Sequence, residues 1–277
     1  MGVNYVEVIG DPIGHSKSPL IHKFWLEKLG VEGDYRALRV TEAELPDYLE
    51  SRRSDPDWLG CNLTMPLKRS VVPLLDRNTA AVQVTGAANT VLKVRAEAIG
   101  RATDGLVGNN TDLRGFAEPF REHHSERGKA ALIGSGGAAR AAYVALAALG
   151  FEIVYIANRT PEKAATMARS FGKRGLDIGP LDAPIPAVDL LVNASALGSR
   201  FAPGMVDLDQ LPPNAIVYDI VYDPVETELL AAARRRGLRV IDGLTMLIGQ
   251  AAASFVHFFD GEPPRRHDPE LRERLER

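Results

Sequence analysis

Cysteine is nearly absent. The 277 residues include one, Cys61, so no internal disulfide can form and a reducing compartment, the cytoplasm, fits. An excess of basic charge is also lacking. Against 36 Asp and Glu stand 33 Lys and Arg, a net charge of −3, which gives no positive field for a nucleic-acid backbone. Charge, proline or glycine interrupts every apolar stretch before the roughly 20 residues that a membrane span needs. The opening Met1-Gly2-Val3-Asn4-Tyr5 lacks the basic-then-apolar order of a secretory signal. His123-His124 stand in a charged stretch without metal-ligand spacing, so no metal is expected. No repeat of fixed period occurs. With 45% hydrophobic and 25% charged residues the composition is ordinary for a globular chain, long enough for two domains, with neither membrane nor nucleic acid as partner.

The first hundred residues alternate strand and helix. Tyr5-Val6-Glu7-Val8-Ile9 is β-rich and stops at Gly10-Asp11-Pro12. Ser18 as N-cap and Pro19 behind it open a helix on which Leu20, Ile21, Phe24, Trp25 and Leu29 recur at helical spacing up to Gly30. A strand over 34–40, a capping box of Thr41 and Glu44 before a second helix, and a strand over 58–63 follow. This order predicts a mostly parallel, helix-covered sheet. A second series, with strands over 129–133, 153–157, 188–192, 215–218 and 238–241 and an alanine-rich helix to Leu149, predicts a doubly wound α/β unit. Leu244 to Phe259 reads as a long helix returning to the first domain, and 265–277 as a solvated charged tail. The predicted division is 1–105 with 243–277 returning to it, and 106–242 between.

Gly134-Ser135-Gly136-Gly137-Ala138-Ala139 follows an apolar strand and opens a helix, matching G-x-G-x-x-G/A in its proper context. The first glycine makes a tight turn and the second admits a pyrophosphate near the backbone. The small third residue lets helix and strand pack, and the helix N-terminus faces the anion. A ligand-free glycine turn is the alternative. The next strand ends at Asn158-Arg159-Thr160, with Lys163 a turn later. An NAD site places Asp or Glu here for the ribose hydroxyls. An amide, a guanidinium and a hydroxyl suit the 2′-phosphate of NADP instead. Arg159 as plain surface residue and Thr160-Pro161 as N-cap and first turn is the competing reading.

Five further segments stand in order along the chain: Gly10-Asp11-Pro12-Ile13-Gly14-His15-Ser16-Lys17-Ser18-Pro19, Asn62-Leu63-Thr64-Met65-Pro66-Leu67-Lys68, Gly86-Ala87-Ala88-Asn89-Thr90-Val91, Gly108-Asn109-Asn110-Thr111-Asp112, and Asp242-Gly243-Leu244-Thr245-Met246-Leu247-Ile248-Gly249-Gln250. With the glycine loop in its place among them, the chain from about Val6 to Gly261 resembles the shikimate dehydrogenase family. The resemblance implies a two-domain α/β fold, with an N-terminal substrate domain and a Rossmann-type NADP domain. It also implies reversible NADPH-dependent reduction of 3-dehydroshikimate to shikimate in the cytoplasm, a step of aromatic amino acid biosynthesis, by a monomer or homodimer.

By the same resemblance Lys68 and Asp112 are the catalytic pair. Ser16, Ser18 and Thr64 bind the substrate carboxylate, Asn89 and Gln250 are further substrate contacts, and Tyr222 borders the substrate. Ile220 and Gly243 bring backbone to the nicotinamide. Chemistry agrees, because hydride delivery to a ketone builds negative charge on oxygen that a proton or cation must meet. Local alternatives remain: Lys68 as an exposed first-turn lysine, Asp112 and Ser18 as helix caps, Thr64 as a turn residue before proline, Tyr222 as a core aromatic. His15 and His22 match no catalytic position, and His22 on an apolar helix reads as structural. Two departures stand out. The loop Asn193-Ala194-Ser195-Ala196-Leu197-Gly198-Ser199 lacks the family's methionine, which puts its cofactor contacts in question, and Asp223 replaces an asparagine. The readings to set beside this one are an NAD-preferring quinate/shikimate dehydrogenase, an aminoshikimate dehydrogenase, and a non-catalytic dinucleotide-binding regulator.

Overall fold

The computed structural model of the chain describes residues 2–100, 104–121, 128–173, 175–195 and 206–277. By its contacts the chain forms two compact units, Met1–Thr111 with Ile248–Arg277, and Asp112–Leu247. His123-His124 and residues 196–199 of the departing loop lie outside the described residues.

In the first unit, β1 (Tyr5–Gly10), α1 (Ser18–Leu29), β2 (Asp34–Arg39), α2 (Leu45–Arg53), β3 (Trp58–Leu63), α3 (Leu67–Ser70), β4 (Arg77–Asn78), α4 (Ala80–Thr85), β5 (Thr90–Val94), α5 (Ala96–Ile99) and β6 (Gly105–Asn109) follow one another. The strands make one sheet in the order β2-β1-β3-β5-β6-β4. It is mostly parallel, as expected, with β5 alone reversed, antiparallel to both β3 and β6. Only the short α5 separates β5 from β6, and a parallel neighbour would need a crossover of a dozen residues or more.

Two local expectations shift. Ser18 is the first helical residue of α1 and Lys17 occupies the cap position, with Pro19 in the first turn, where its missing N–H costs nothing. Ile21, Phe24 and Trp25 are buried, whereas Leu20 and Leu29 are exposed. The helix stops at Gly30, which takes φ +64° and returns its N–H to the carbonyls of Leu26 and Glu27. The capping box forms as read: Glu44 Oε2 accepts from Thr41 N–H at 2.8 Å and from its hydroxyl at 2.7 Å, in the turn that leads into α2.

The second unit carries α6 (Asp112–Ala117), β7 (Lys129–Ile133), α7 (Gly137–Leu149), β8 (Glu152–Ala157), α8 (Pro161–Ser170), β9 (Asp177–Gly179), β10 (Leu190–Asn193), β11 (Ile216–Asp219), α9 (Glu228–Arg235) and β12 (Arg239–Ile241). Its sheet is parallel throughout, in the order β12-β11-β10-β7-β8-β9. That is the doubly wound dinucleotide-binding order, with its switch point between β7 and β10. Successive residues of β7 enter different cores: Ala130 and Leu132 lie in one, Ala131 and Ile133 in the other. Burial on both faces is why the strand reads as a continuous apolar run.

Helix α10 (Gly243–Phe259) runs from the second unit into the first, and α11 (Asp268–Glu276) belongs to the first. The last of these corrects the expectation of a solvated tail over 265–277. Leu271 and Leu275, four residues apart, share one helical face and are fully buried. Phe24 of α1 receives Arg274 at 4.8 Å and Lys28 at 5.2 Å from its ring centre, and Lys28 pairs with Glu270 at 2.7 Å. Among the described residues no helix is long and apolar enough to cross a membrane.

Candidate active site

The antiparallel course of β5 gathers the chemistry of the first unit on one sheet edge. Ile9 pairs with Leu63, Asn62 with Thr90 and Thr90 with Asn109, so the ends of β1, β3 and β6 meet the start of β5. Segments leaving these ends carry Ser16 and Ser18, Thr64 and Lys68, Asn89, and Asn110-Thr111-Asp112. Backbone bonds fix them together: Thr64 N–H donates to Ile9 O at 2.9 Å, Asp11 N–H to Met65 O at 3.0 Å, and Ala88 N–H to Lys68 O at 2.7 Å. Gly10 is required here, since a Cβ would stand 2.4 Å from Thr64 Cγ2 and 2.8 Å from Met65 O.

Thr64, Lys68 and Ser16 are half-buried and Ser18 is buried. Asn89 is almost fully enclosed. Its Oδ1 accepts from Thr111 N–H at 2.8 Å and from the Thr90 hydroxyl at 2.9 Å. Its Nδ2 donates to Gln250 Oε1 at 3.3 Å and to Thr111 Oγ1 at 2.9 Å. Thr111 is thereby clamped, and Asp112, the next residue, is buried at the start of α6. The sequence reading passed over Thr111, Thr90 and Asn62, although all three lay inside segments it had singled out.

In the second unit, Gly134 takes φ +116°, and a Cβ there would fall 2.7 Å from Ala194 O. The turn after β7 is thus pressed against the turn after β10, at the switch point. Gly136 occupies the cap position of α7 with no atom within 4 Å of where its Cβ would be. Ala139 is fully buried. Tight first glycine, open second glycine and packed small third residue fit a pyrophosphate over the backbone of Ser135, Gly136, Gly137 and Ala138. Beyond β8, Asn158 Nδ2 donates to Thr160 O at 2.7 Å, shaping the turn, and the side chains of Arg159 and Lys163 are exposed. Thr160 holds the cap position of α8 without a side-chain cap bond.

Ile220 and Gly243 meet, since a Cβ on Gly243 would lie 2.4 Å from Ile220 O. Tyr222 is half-buried in the same loop after β11, and burial raises its phenol above the usual range. A residue that the sequence reading missed organises this loop. Asp219, fully buried, accepts from Asn193 Nδ2 at 2.9 Å, Val221 N–H at 3.0 Å and the Thr227 hydroxyl at 2.8 Å. Burial outweighs these donors and raises its carboxyl. Asp219 had no visible signal beyond its place at a strand end.

His15 is exposed and His22 is buried, neither nitrogen of the latter having a hydrogen-bond partner among the described residues. Its ring stacks on Tyr35 at 4.1 Å, and burial lowers its pKa to about 3. A ring sealed among aromatics serves packing rather than proton transfer.

Residues 8–91 match the model of the shikimate dehydrogenase substrate binding domain, and residues 118–202 that of shikimate / quinate 5-dehydrogenase. A shikimate dehydrogenase (NADP(+)) of Sphingopyxis alaskensis is 50% identical over 97% of this chain and 95% of its own. The chain belongs to the shikimate dehydrogenase family. Among solved members, the shikimate 5-dehydrogenase of Thermus thermophilus, in complex with NADP(H) and shikimate, superposes with a TM-score of 0.83 at 36% identity, covering 98% of this chain and 99% of that one. A quinate dehydrogenase from Corynebacterium glutamicum in complex with NAD also has a TM-score of 0.83, at 28% identity over 98% of this chain and 99% of that one. This shikimate dehydrogenase relative therefore shares its fold with members named for two substrates and two cofactors, and the choice between them rests on its own side chains.

Proposed function

We propose that the chain is a cytoplasmic NADP-dependent shikimate dehydrogenase, reducing 3-dehydroshikimate reversibly to shikimate. The observation that carries the cofactor choice is the β8 terminus, where Asn158, exposed Arg159 and Thr160 replace the carboxylate of an NAD site. A guanidinium there offers charge-assisted donors to a 2′-phosphate. Ser135 to Ala138 hold the pyrophosphate, with Lys163 adding positive charge beside Arg159. NADPH, when bound, supplies the hydride. Ile220 and Gly243 shape the backbone that the nicotinamide approaches.

Residues of the first unit, with Asp112 and Tyr222 of the second, do the rest. Ser16, Ser18 and Thr64 donate hydroxyls to the ring carboxylate, and Asn89 and Gln250 meet ring hydroxyls, with Tyr222 at the border. Lys68 faces the oxygen on which negative charge develops and delivers the proton, and Asp112 orients its ammonium and the neighbouring hydroxyl. Substrate domain and cofactor domain are thus the first and second units.

The test is a spectrophotometric assay of the purified protein with shikimate, quinate and aminoshikimate in turn, each with NADP+ and with NAD+. Shikimate with NADP+ is the expected best pair. Arg159→Ala is expected to raise KM for NADP+ about ten- to a hundredfold with little change for NAD+. A preference for quinate with NAD+ would overturn the proposal, and equal losses for both cofactors would make Arg159 structural.

A further inference from the structure

Asn62 lies at the centre of a buried hydrogen-bond chain whose direction can be deduced. Asn62 Nδ2 stands 3.1 Å from Asn89 O, and a backbone carbonyl only accepts, so the amide nitrogen must face it. Its other N–H points to Thr90 Oγ1 at 3.0 Å. The Thr90 proton therefore goes onward, to Asn89 Oδ1 at 2.9 Å. The second donor at Asn89 Oδ1 is the N–H of Thr111, which cannot reverse. Both contacts force Asn89 to turn Nδ2 toward Gln250, whose Oε1 is the acceptor at 3.3 Å. Gln250 thus commits its oxygen to Asn89 and turns its N–H2 elsewhere.

The other side of Asn62 is equally determined. Oδ1 accepts from the Tyr35 hydroxyl at 2.6 Å, while the Ser254 hydroxyl, 3.4 Å away, lies closer to its own acceptor, Ala251 O, at 3.1 Å. Tyr35 is fully buried. One chain of bonds runs from Tyr35, through Asn62, Thr90 and Asn89, to Gln250.

We infer that Asn62, Thr90 and Tyr35 are positioning residues for substrate recognition. Together with the Thr111 N–H they hold the amide orientations of Asn89 and Gln250, so that Gln250 presents donors. The inference rests on the substrate assignment above. Each acts through a neighbour. A merely structural polar core would keep the fold but would not require this single direction of donation.

Thr90→Val keeps shape and removes the hydroxyl, whereas Thr90→Ser keeps the hydroxyl. Thr90→Val is expected to raise KM for shikimate about tenfold, with kcat within threefold and KM for NADP+ unchanged. Thr90→Ser is expected to lie within twofold of wild type, and Tyr35→Phe to raise KM for shikimate by a smaller factor. Normal KM in Thr90→Val, or equal impairment in Thr90→Ser, overturns the proposal. Failure of wild type on shikimate would instead refute the functional reading. A ligand-free measurement then decides the positioning role, namely the side-chain amide resonances of Asn89 and Gln250. They are expected at the same positions in wild type and Thr90→Ser, and displaced in Thr90→Val, where Asn89 Oδ1 keeps the Thr111 N–H but loses the Thr90 donor. Unchanged resonances in Thr90→Val overturn it, and an unfolded Thr90→Val leaves Tyr35→Phe to be read by the same signals.

Discussion

At the scale of single residues, burial decides which titratable groups act and which only pack. His22 keeps a neutral ring because solvation of the cation is lost, and its pKa falls from the ordinary 6.5 to about 3. Between these values the unfolded chain binds a proton that the folded chain refuses. Stability is thus fully present above pH 6.5 and falls as the pH drops toward 3, by roughly 1.4 kcal/mol per unit. His22→Phe, placing an apolar ring among Trp25, Tyr35 and Phe255, is expected to remove this component. Urea unfolding at pH 7 and pH 5 should show wild type losing about 2 kcal/mol more than the variant between the two. Parallel losses would mean that His22 is protonated inside the fold. Asp219 poses the opposite case, a carboxyl raised by burial that nonetheless holds three donors in place.

At the scale of elements, the strands were the most legible part and the edges the least. The strands expected over 58–63 and 129–133 stand as Trp58–Leu63 and Lys129–Ile133, because short, largely apolar runs bounded by turn residues have few other uses. Strands β4 and β9, two and three residues long, left no such signature. Helix α11 was missed for another reason. Nine residues dominated by charge hide the i, i+4 pair Leu271 and Leu275, and only contact with α1 reveals that the pair is core. Leu271→Ala is expected to cost about 2–4 kcal/mol in chemical unfolding. A solvated tail would give less than about 0.5 kcal/mol, and that outcome would detach α11 from the fold's stability.

At the scale of the whole molecule, two units with separate cores divide the labour, and the division is testable by kinetics. Lys68→Ala is expected to lower kcat by about 10²–10⁴-fold with little change in KM for shikimate, because the carboxylate contacts persist. Ser16→Ala is expected to act mainly on KM. Neither residue belongs to the unit with the glycine loop, so NADP+ titration should match wild type in both. Near-normal kcat in Lys68→Ala would return that lysine to the reading of an exposed first-turn residue. What the sequence determined by itself was whatever short-range chemistry enforces: the glycine turn at Gly134, the missing carboxylate at Asn158-Arg159, the capping box at Thr41, and the polar segments that carry Lys68 and Asn89. Only the tertiary structure decided that β5 runs antiparallel, that a charged C-terminal stretch is a packed helix, and that Asn62, Thr90 and Thr111 orient Asn89. Each depends on partners far apart in the chain, and no local pattern of hydrophobicity or propensity records which distant donor a buried amide will meet.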